Sequence, residues 1–191
     1  MSGDVMKQLL ADLMRLTAAR LKDELSPALE EIRRYGVGKL LGEYPDFVAR
    51  LLQKLKQAEA AKLFSEVPIL ADQLAALLWE GVVFRAGRSK EMKSVLENAE
   101  RDFHCNIEAS DSPFKSHFIV EKGEIRGAPG LLHFKDEDFR FMGPTEVLFD
   151  LLTGTLTLGF GNLRLQTAGH PGWLKRIAPV MREINKLIIG G

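Results

Sequence analysis

Cys105 is the single thiol of this 191-residue chain, and His104 precedes it. A thiol next to a histidine is raw material for a nucleophilic pair or a metal site. The local pattern argues against both. Phe103, Cys105 and Ile107 alternate with His104, Asn106 and Glu108. On a strand, sequential residues point to opposite faces, so the thiol and the imidazole diverge. The thiol shares the apolar face, where burial leaves it inert. His117 and His133 stand on separate segments without ligand spacing. Asp136-Glu137-Asp138 are adjacent carboxylates that read as a turn, not as an acid–base pair or a calcium loop. The patterns G-x-S-x-G, G-x-x-x-x-G-K-[ST], H-E-x-x-H and G-x-G-x-x-G are all absent. Gly159-Phe160-Gly161 reads as a bend or bulge. The expectation is a non-enzymatic protein with no cofactor and no metal.

Composition narrows the class further. Apolar residues make up 46% and charged residues 27%, an ordinary globular balance. The 26 basic and 26 acidic side chains cancel, so no chain-wide basic field awaits a phosphate backbone. Lys115 and Arg140 stand near aromatics, but their half of the chain is net acidic. Nucleic acid is therefore not an expected partner. No apolar run is long enough to span a bilayer, and the N-terminus lacks the apolar core of a secretory signal. A lone cysteine fits a reducing compartment. A cytoplasmic location is the expectation.

Two regions must position whatever binds. Residues 1–88 read as helices. Met6, Leu9, Leu10, Leu13, Leu16 and Leu21 recur at three-to-four spacing. Ser26-Pro27 offers a cap and a first-turn proline for a new helix, which Tyr35-Gly36-Val37-Gly38 ends. After Tyr44-Pro45-Asp46, Phe47, Val48, Leu51, Leu52 and Leu55 form one apolar face. Ser65–Pro68 opens a helix with Ile69, Leu70, Leu74, Leu77 and Leu78 inward and Gly81 at its end. Ser89 caps a further one carrying Met92, Val95, Leu96 and Ala99. These stripes read first as core. The cations Arg50, Lys54 and Lys56 mark a mildly basic face where transient membrane contact would fall.

Residues 89–191 change period. They hold 11 of the 17 glycines and 8 of the 11 phenylalanines, so the sheet belongs here. Strands are predicted at 103–107 and 114–120, with a further short strand after Lys122-Gly123-Glu124. Leu132, Phe134, Phe139 and Phe141 flank Lys135-Asp136-Glu137-Asp138, a stretch that reads either as a turn or as the middle of a strand. Gly143-Pro144-Thr145-Glu146 starts a helix with Val147, Leu148, Leu151 and Leu152 on one face, and Gly154 ends it. Leu163 and Leu165 alternate with Arg164 and Gln166 as another strand. Trp173, Leu174, Ile177, Val180, Met181, Ile184, Leu187 and Ile188 share one helical face, with a kink or restart expected at Pro179.

From about Phe103 to Met181 this order resembles the sterol carrier protein type 2 family of lipid-binding domains. The resemblance rests on the strands Phe103–Ile107 and Phe114–Val120. It rests also on the run from Phe139 through Gly143-Pro144-Thr145-Glu146 to Leu151-Leu152-Thr153-Gly154. Gly161-Asn162-Leu163-Arg164-Leu165-Gln166-Thr167-Ala168-Gly169 and the apolar helix from Trp173 complete it. The segment between Gly154 and Gly161 is shorter than the family's connecting helix, and the C-terminal helix runs on further. The resemblance implies an α+β fold. A five-stranded, mainly antiparallel sheet is covered by helices and preceded by the helical region. It also implies an apolar tunnel for a lipid tail: fatty acid, acyl-CoA, sterol-like or isoprenoid.

The candidate tunnel lining is Phe118, Phe134, Phe141, Leu148, Leu152, Leu156, Phe160, Leu165, Trp173, Ile177 and Met181. Each of these positions also reads as plain core. Residues 154–161 and Pro179 are the candidate gate. The N-terminal helices would cap the cavity, touch a membrane, form a homodimer or hold a partner protein. The rival reading is a filled scaffold that recruits a protein of lipid metabolism.

Overall fold

A computed structural model of the chain describes residues 3–99, 101–156 and 164–190. Its helices in the first half are α1 (Gly3–Arg15), α2 (Ala18–Tyr35), α3 (Val37–Glu43), α4 (Phe47–Gln57), α5 (Ala60–Glu66), α6 (Ile69–Ala86) and α7 (Lys90–Glu97). Strands β1 (Phe103–Ala109), β2 (Lys115–Glu121), β3 (Glu124–Pro129) and β4 (Phe139–Gly143) follow. Then come α8 (Thr145–Leu152), β5 (Gln166–Gly169) and α9 (Gly172–Ile189). The sheet order is β3-β2-β1-β4-β5. Among the described residues, β1–β4 pairs in parallel and the other three pairs are antiparallel. The fold is α+β, with the sheet in the C-terminal half.

Local signals explain most boundaries. Ser89 accepts the Met92 amide at 3.0 Å and so caps α7. Gly36 (φ 98°) ends α2, and Gly154 (φ 72°) follows α8. All five apolar residues expected on α4 are buried. Other boundaries depart from expectation. α2 starts after Thr17, whose hydroxyl accepts the Arg20 amide, and it runs through Pro27. Pro27 sits on the solvent side, so the carbonyl its ring leaves unpaired remains open to water. Gly81 does not close α6. It lies mid-helix, where a Cβ would come within 2.9 Å of the Leu41 side chain, so glycine lets α6 and α3 approach closely. Ile69, expected inward, is 57% exposed at the start of α6. Neither α3 nor α5 is expected from the spacing. β5 begins at Gln166, one residue past the expected Leu165; Leu163 lies outside the described residues. α9 continues through Pro179 without a restart, again because the proline faces solvent.

α6 organises the interior. It is apolar nearly all round, the signature of a buried helix. It packs on β3 and β2 and also against α2, α3 and α9. One continuous hydrophobic core therefore runs from Met6 to Ile188, across position 88. Arg85, near the end of α6, donates to the carbonyls of Leu187, Pro45 (2.6 Å) and Leu41 (3.4 Å). That cation ties three chain turns together at their exposed carbonyl ends.

Candidate functional site

The inner face of the sheet is filled. Phe103, Cys105, Ile107, Phe118 and Phe141 project from it and are all fully buried. Trp79 of α6 lies over them. Its ring centroid is 5.3 Å from that of Phe118, and it rests on Gly127, where any side chain would collide with the indole. Phe103 packs edge-on against Phe118 at 6.0 Å. Phe139 and Phe141 meet at 5.1 Å. Glycine at 127 is thus a close-approach position, the case where the missing Cβ matters. Two buried polar atoms in this layer have no hydrogen-bond partner, the Trp79 indole N–H and the Ser116 hydroxyl.

Six of the residues expected to line a tunnel lie in this packed interior. Phe118, Phe141, Leu148, Leu152, Ile177 and Met181 are each no more than 1% exposed. Leu165 and Trp173 are half-buried; Trp173 sits 6.2 Å from Phe103. Phe134 is a correction. It is 78% exposed at a turn on the opposite side of the sheet, because residues 130–138 form a strap across the outer face. Phe160 lies outside the described residues. Leu156 is half-buried and opens onto a groove.

That groove runs between the end of α8 and the outer side of α9, with a volume of about 320 Å³. Leu156, Ala178, Met181 and Ile189 form its apolar floor. Thr153, Arg182, Asn185 and Lys186 stand at its rim. Asn185, with its amide turned to donate, lies within 3.0 Å of the carbonyls of Leu151, Leu152 and Met181. It satisfies the last carbonyls of α8 and fixes that helix end on α9. Lys186 pairs with the buried Glu183 at 2.8 Å. Of the groove, only Leu156 and Met181 were legible as candidates. The polar rim follows from helix contacts that no local pattern encodes.

The chemistry-bearing residues of β1 go elsewhere. Burial pushes the Cys105 thiol well above its usual range, and the carboxylates Glu137 and Asp138 add to it. A protonated thiol at full burial is not a nucleophile. His104 faces outward, with Nδ1 2.7 Å from the Asp136 carbonyl and Nε2 3.1 Å from Glu121. Asn106, on the same outer face, is fully buried beneath the strap. Its side chain exchanges hydrogen bonds with the backbone of Leu132 (2.9 and 3.3 Å) and donates to Glu137. Arg140 then bridges Glu137 (2.8 Å) and Glu108 (2.7 Å). Asp138 accepts the His104 amide at 2.9 Å. Glu137 and Asp138 thus serve different donors, Asp136 engages His104 through its backbone carbonyl, and residues 134–136 form a turn. Among the described residues, no group of three or more His, Cys, Asp and Glu could hold a metal ion. No described helix is long and apolar enough to cross a membrane.

No family model matches the chain, and no curated protein matches it. Among solved structures it is similar to Sterol Carrier Protein 2 from Yarrowia lipolytica in its apo form. The TM-score is 0.42 at 12% sequence identity, over 61% of this chain and 93% of that one.

Proposed function

We propose that the protein binds an apolar-tailed small molecule and releases it chemically unchanged, with the tail laid in the groove between α8 and α9. The observation that supports this reading is the apolar lining of that groove, Leu156, Ala178 and Ile189 with the buried Met181, beside the polar Thr153, Arg182, Asn185 and Lys186. A tail placed there gains about 0.8 kcal/mol per buried methylene, less its ordering cost. Met181 is a fitting wall, since an unbranched thioether repacks around tails of different shape. Arg182 and Lys186 suit a carboxylate or phosphate head. Fatty acids, acyl-CoA and anionic isoprenoids belong to this class. A sterol-like ligand would use the floor alone. The chemistry needs no cofactor, and Cys105 takes no part in it.

A second reading keeps one specific observation in its favour. Trp79 seated on Gly127 and Phe118 fills the inner face of the sheet, as a rigid scaffold requires. In that reading the N-terminal helices recruit a partner protein of lipid metabolism or a second copy of the chain.

Native mass spectrometry of the gently purified protein, followed by denaturation and organic extraction, separates the two. The lipid-binding reading expects a stoichiometric lipid, or uptake of added palmitate, palmitoyl-CoA or a short isoprenoid phosphate. Leu156→Arg should abolish that uptake and leave the fold intact, because Leu156 is only half-buried. A clean apo mass with no uptake of any of these probes would overturn the reading. Leu152→Arg would not discriminate, since a charge at that fully buried position unfolds the protein under either reading.

A further inference from the structure

α9 turns one side to solvent between α7 and α8. Lys175, Pro179, Arg182, Lys186 and Ile189 recur at steps of four, three, four and three, so they line up as one stripe, and all five are exposed. The stripe contains no carboxylate. The one acid of the helix, Glu183, is buried and takes Lys186. Glu91 of α7 also interacts electrostatically with Lys186. The side chains of Lys175 and Arg182 make no hydrogen bond or ion pair among the described residues. Ile189, 46% exposed, and Pro179 add apolar surface beside the cations.

Other cationic surfaces differ. On α4, Lys56 pairs with Asp150, and Arg50 lies 3.8 Å from Asp46. On α2, Arg20 pairs with Glu24, Arg33 with Glu80 at 2.5 Å, and Arg34 with Glu31. Those charges are compensated locally. The basic face expected around Arg50, Lys54 and Lys56 is therefore mostly neutralised, whereas on the stripe only Lys186 is paired and Lys175 and Arg182 stay uncompensated. Because the chain has zero net charge, any attraction to a polyanion has to come from such a local surplus.

Two apolar-floored grooves flank the stripe. One is the α8 groove described above. The other, about 270 Å³ on the α7 side, is lined by Val95, Ala99 and Pro179 together with Lys175 and Arg176. Cations interleaved with exposed apolar residues on one helix face are what an interfacial helix presents to a charged bilayer. We propose that the α9 stripe docks the protein on an anionic lipid surface. Docking stands on the stripe alone. Its pairing with the α8 groove, whose rim shares Arg182 and Lys186, rests on the proposed lipid-binding function and would set the groove mouth against the bilayer.

Co-sedimentation of the full chain with vesicles tests this. One set is phosphatidylcholine alone; the other contains a large fraction of phosphatidylglycerol. Binding should require the anionic lipid and fade as salt rises from about 0.05 to 0.5 M, where the Debye length shrinks to a few ångströms. Lys175→Gln with Arg182→Gln should weaken binding about 25-fold, roughly fivefold for each cation near the surface. Both residues are exposed, so the far-UV spectrum and melting temperature should hold. Arg20→Gln with Arg34→Gln, on α2, should change binding less than twofold.

Equal binding to neutral vesicles, no binding to anionic ones, or an equal loss in the two double variants would overturn docking by the stripe. So would equally strong binding to a short DNA duplex, which would mark an indiscriminate polyanion surface. Lipid uptake is read separately, by mass spectrometry without vesicles. If the wild-type chain takes up lipid but does not bind anionic vesicles, only this inference fails; if it binds them but takes up no lipid, only the proposed function fails.

Discussion

The two faces of the one sheet are covered by opposite means. On the inner face, α6 lays Trp79 across Phe118 and Gly127, and contact is apolar and close. On the outer face, residues 130–138 are held by Asn106, His104, His117 and Arg140, and contact is through hydrogen bonds and ion pairs. Apolar cover needs only shape and volume, so it tolerates drift in sequence. Polar cover needs named partners, because each buried donor or acceptor left alone carries its full desolvation cost. The inner face should thus hold most of the stability, and the outer face should hold the order of one strap.

The largest test of that contrast is Trp79→Ala. It should lose about 3–5 kcal/mol, the range for truncating a buried aromatic, measured by urea denaturation. If native-state uptake of palmitate rises in this variant, the void over Gly127 is the tunnel that the wild-type indole occupies. A loss below about 1 kcal/mol would break the account of the inner face.

Asn106→Leu comes next. It strands the Leu132 amide and carbonyl beneath the strap and removes a donor to Glu137. The expected loss is about 1–3 kcal/mol. Limited proteolysis should show new cleavage within 130–138 before global unfolding. Uniform protection there would mean that the strap is held without the network.

A smaller, pH-dependent effect separates Cys105 from the outer groups. Its folded thiol is raised by burial first and by Glu137 and Asp138 second. The unfolded chain therefore releases the thiol proton at a lower pH than the folded one. Stability from this group is complete below the ordinary thiol value of about 8.5 and falls as pH climbs above it. The slope approaches about 1.4 kcal/mol per pH unit. Cys105→Ala should flatten the profile between about pH 8.5 and 10. Iodoacetamide should label the wild type only on unfolding, and rapid labelling of the folded state would contradict the burial.

The smallest effect belongs to neither face. Arg20→Ala on α2 removes an exposed pair with Glu24. It should shift stability by less than about 0.5 kcal/mol in a thermal melt, the usual worth of an exposed pair at helical spacing.

The α8 groove shows where reading the chain ran out. Leu156 and Met181 were candidates because they are apolar at helical or turn positions. Ile189 was not, since it falls outside the buried face of α9. Asn185 carries no sequence signal for its role at the end of α8, because its partners belong to another helix. Phe134 was misplaced for a similar reason. Its aromatic type beside the acidic stretch made it a candidate for the lining, but the chain there leaves the sheet as a strap, and the turn at residues 134–136 puts the ring in water.

What the sequence determined by itself is the set of elements whose signals are local. The α4 face, the Ser89 cap, the alternation of β1 and β2, the Gly143-Pro144 entry to α8 and the buried thiol at 105 all follow from period and backbone chemistry within a few residues. Tertiary structure decided three things. One was that α6 would serve as the sheet's inner cover, joining both halves in one core. Another was that Pro27, Gly81 and Pro179 would sit inside helices. The last was which helix face would stay open between α7 and α8. The physical reason is common to all three. Periodicity says which side of an element is apolar, but burial is settled by which other surface arrives to cover it, and that surface comes from a distant part of the chain.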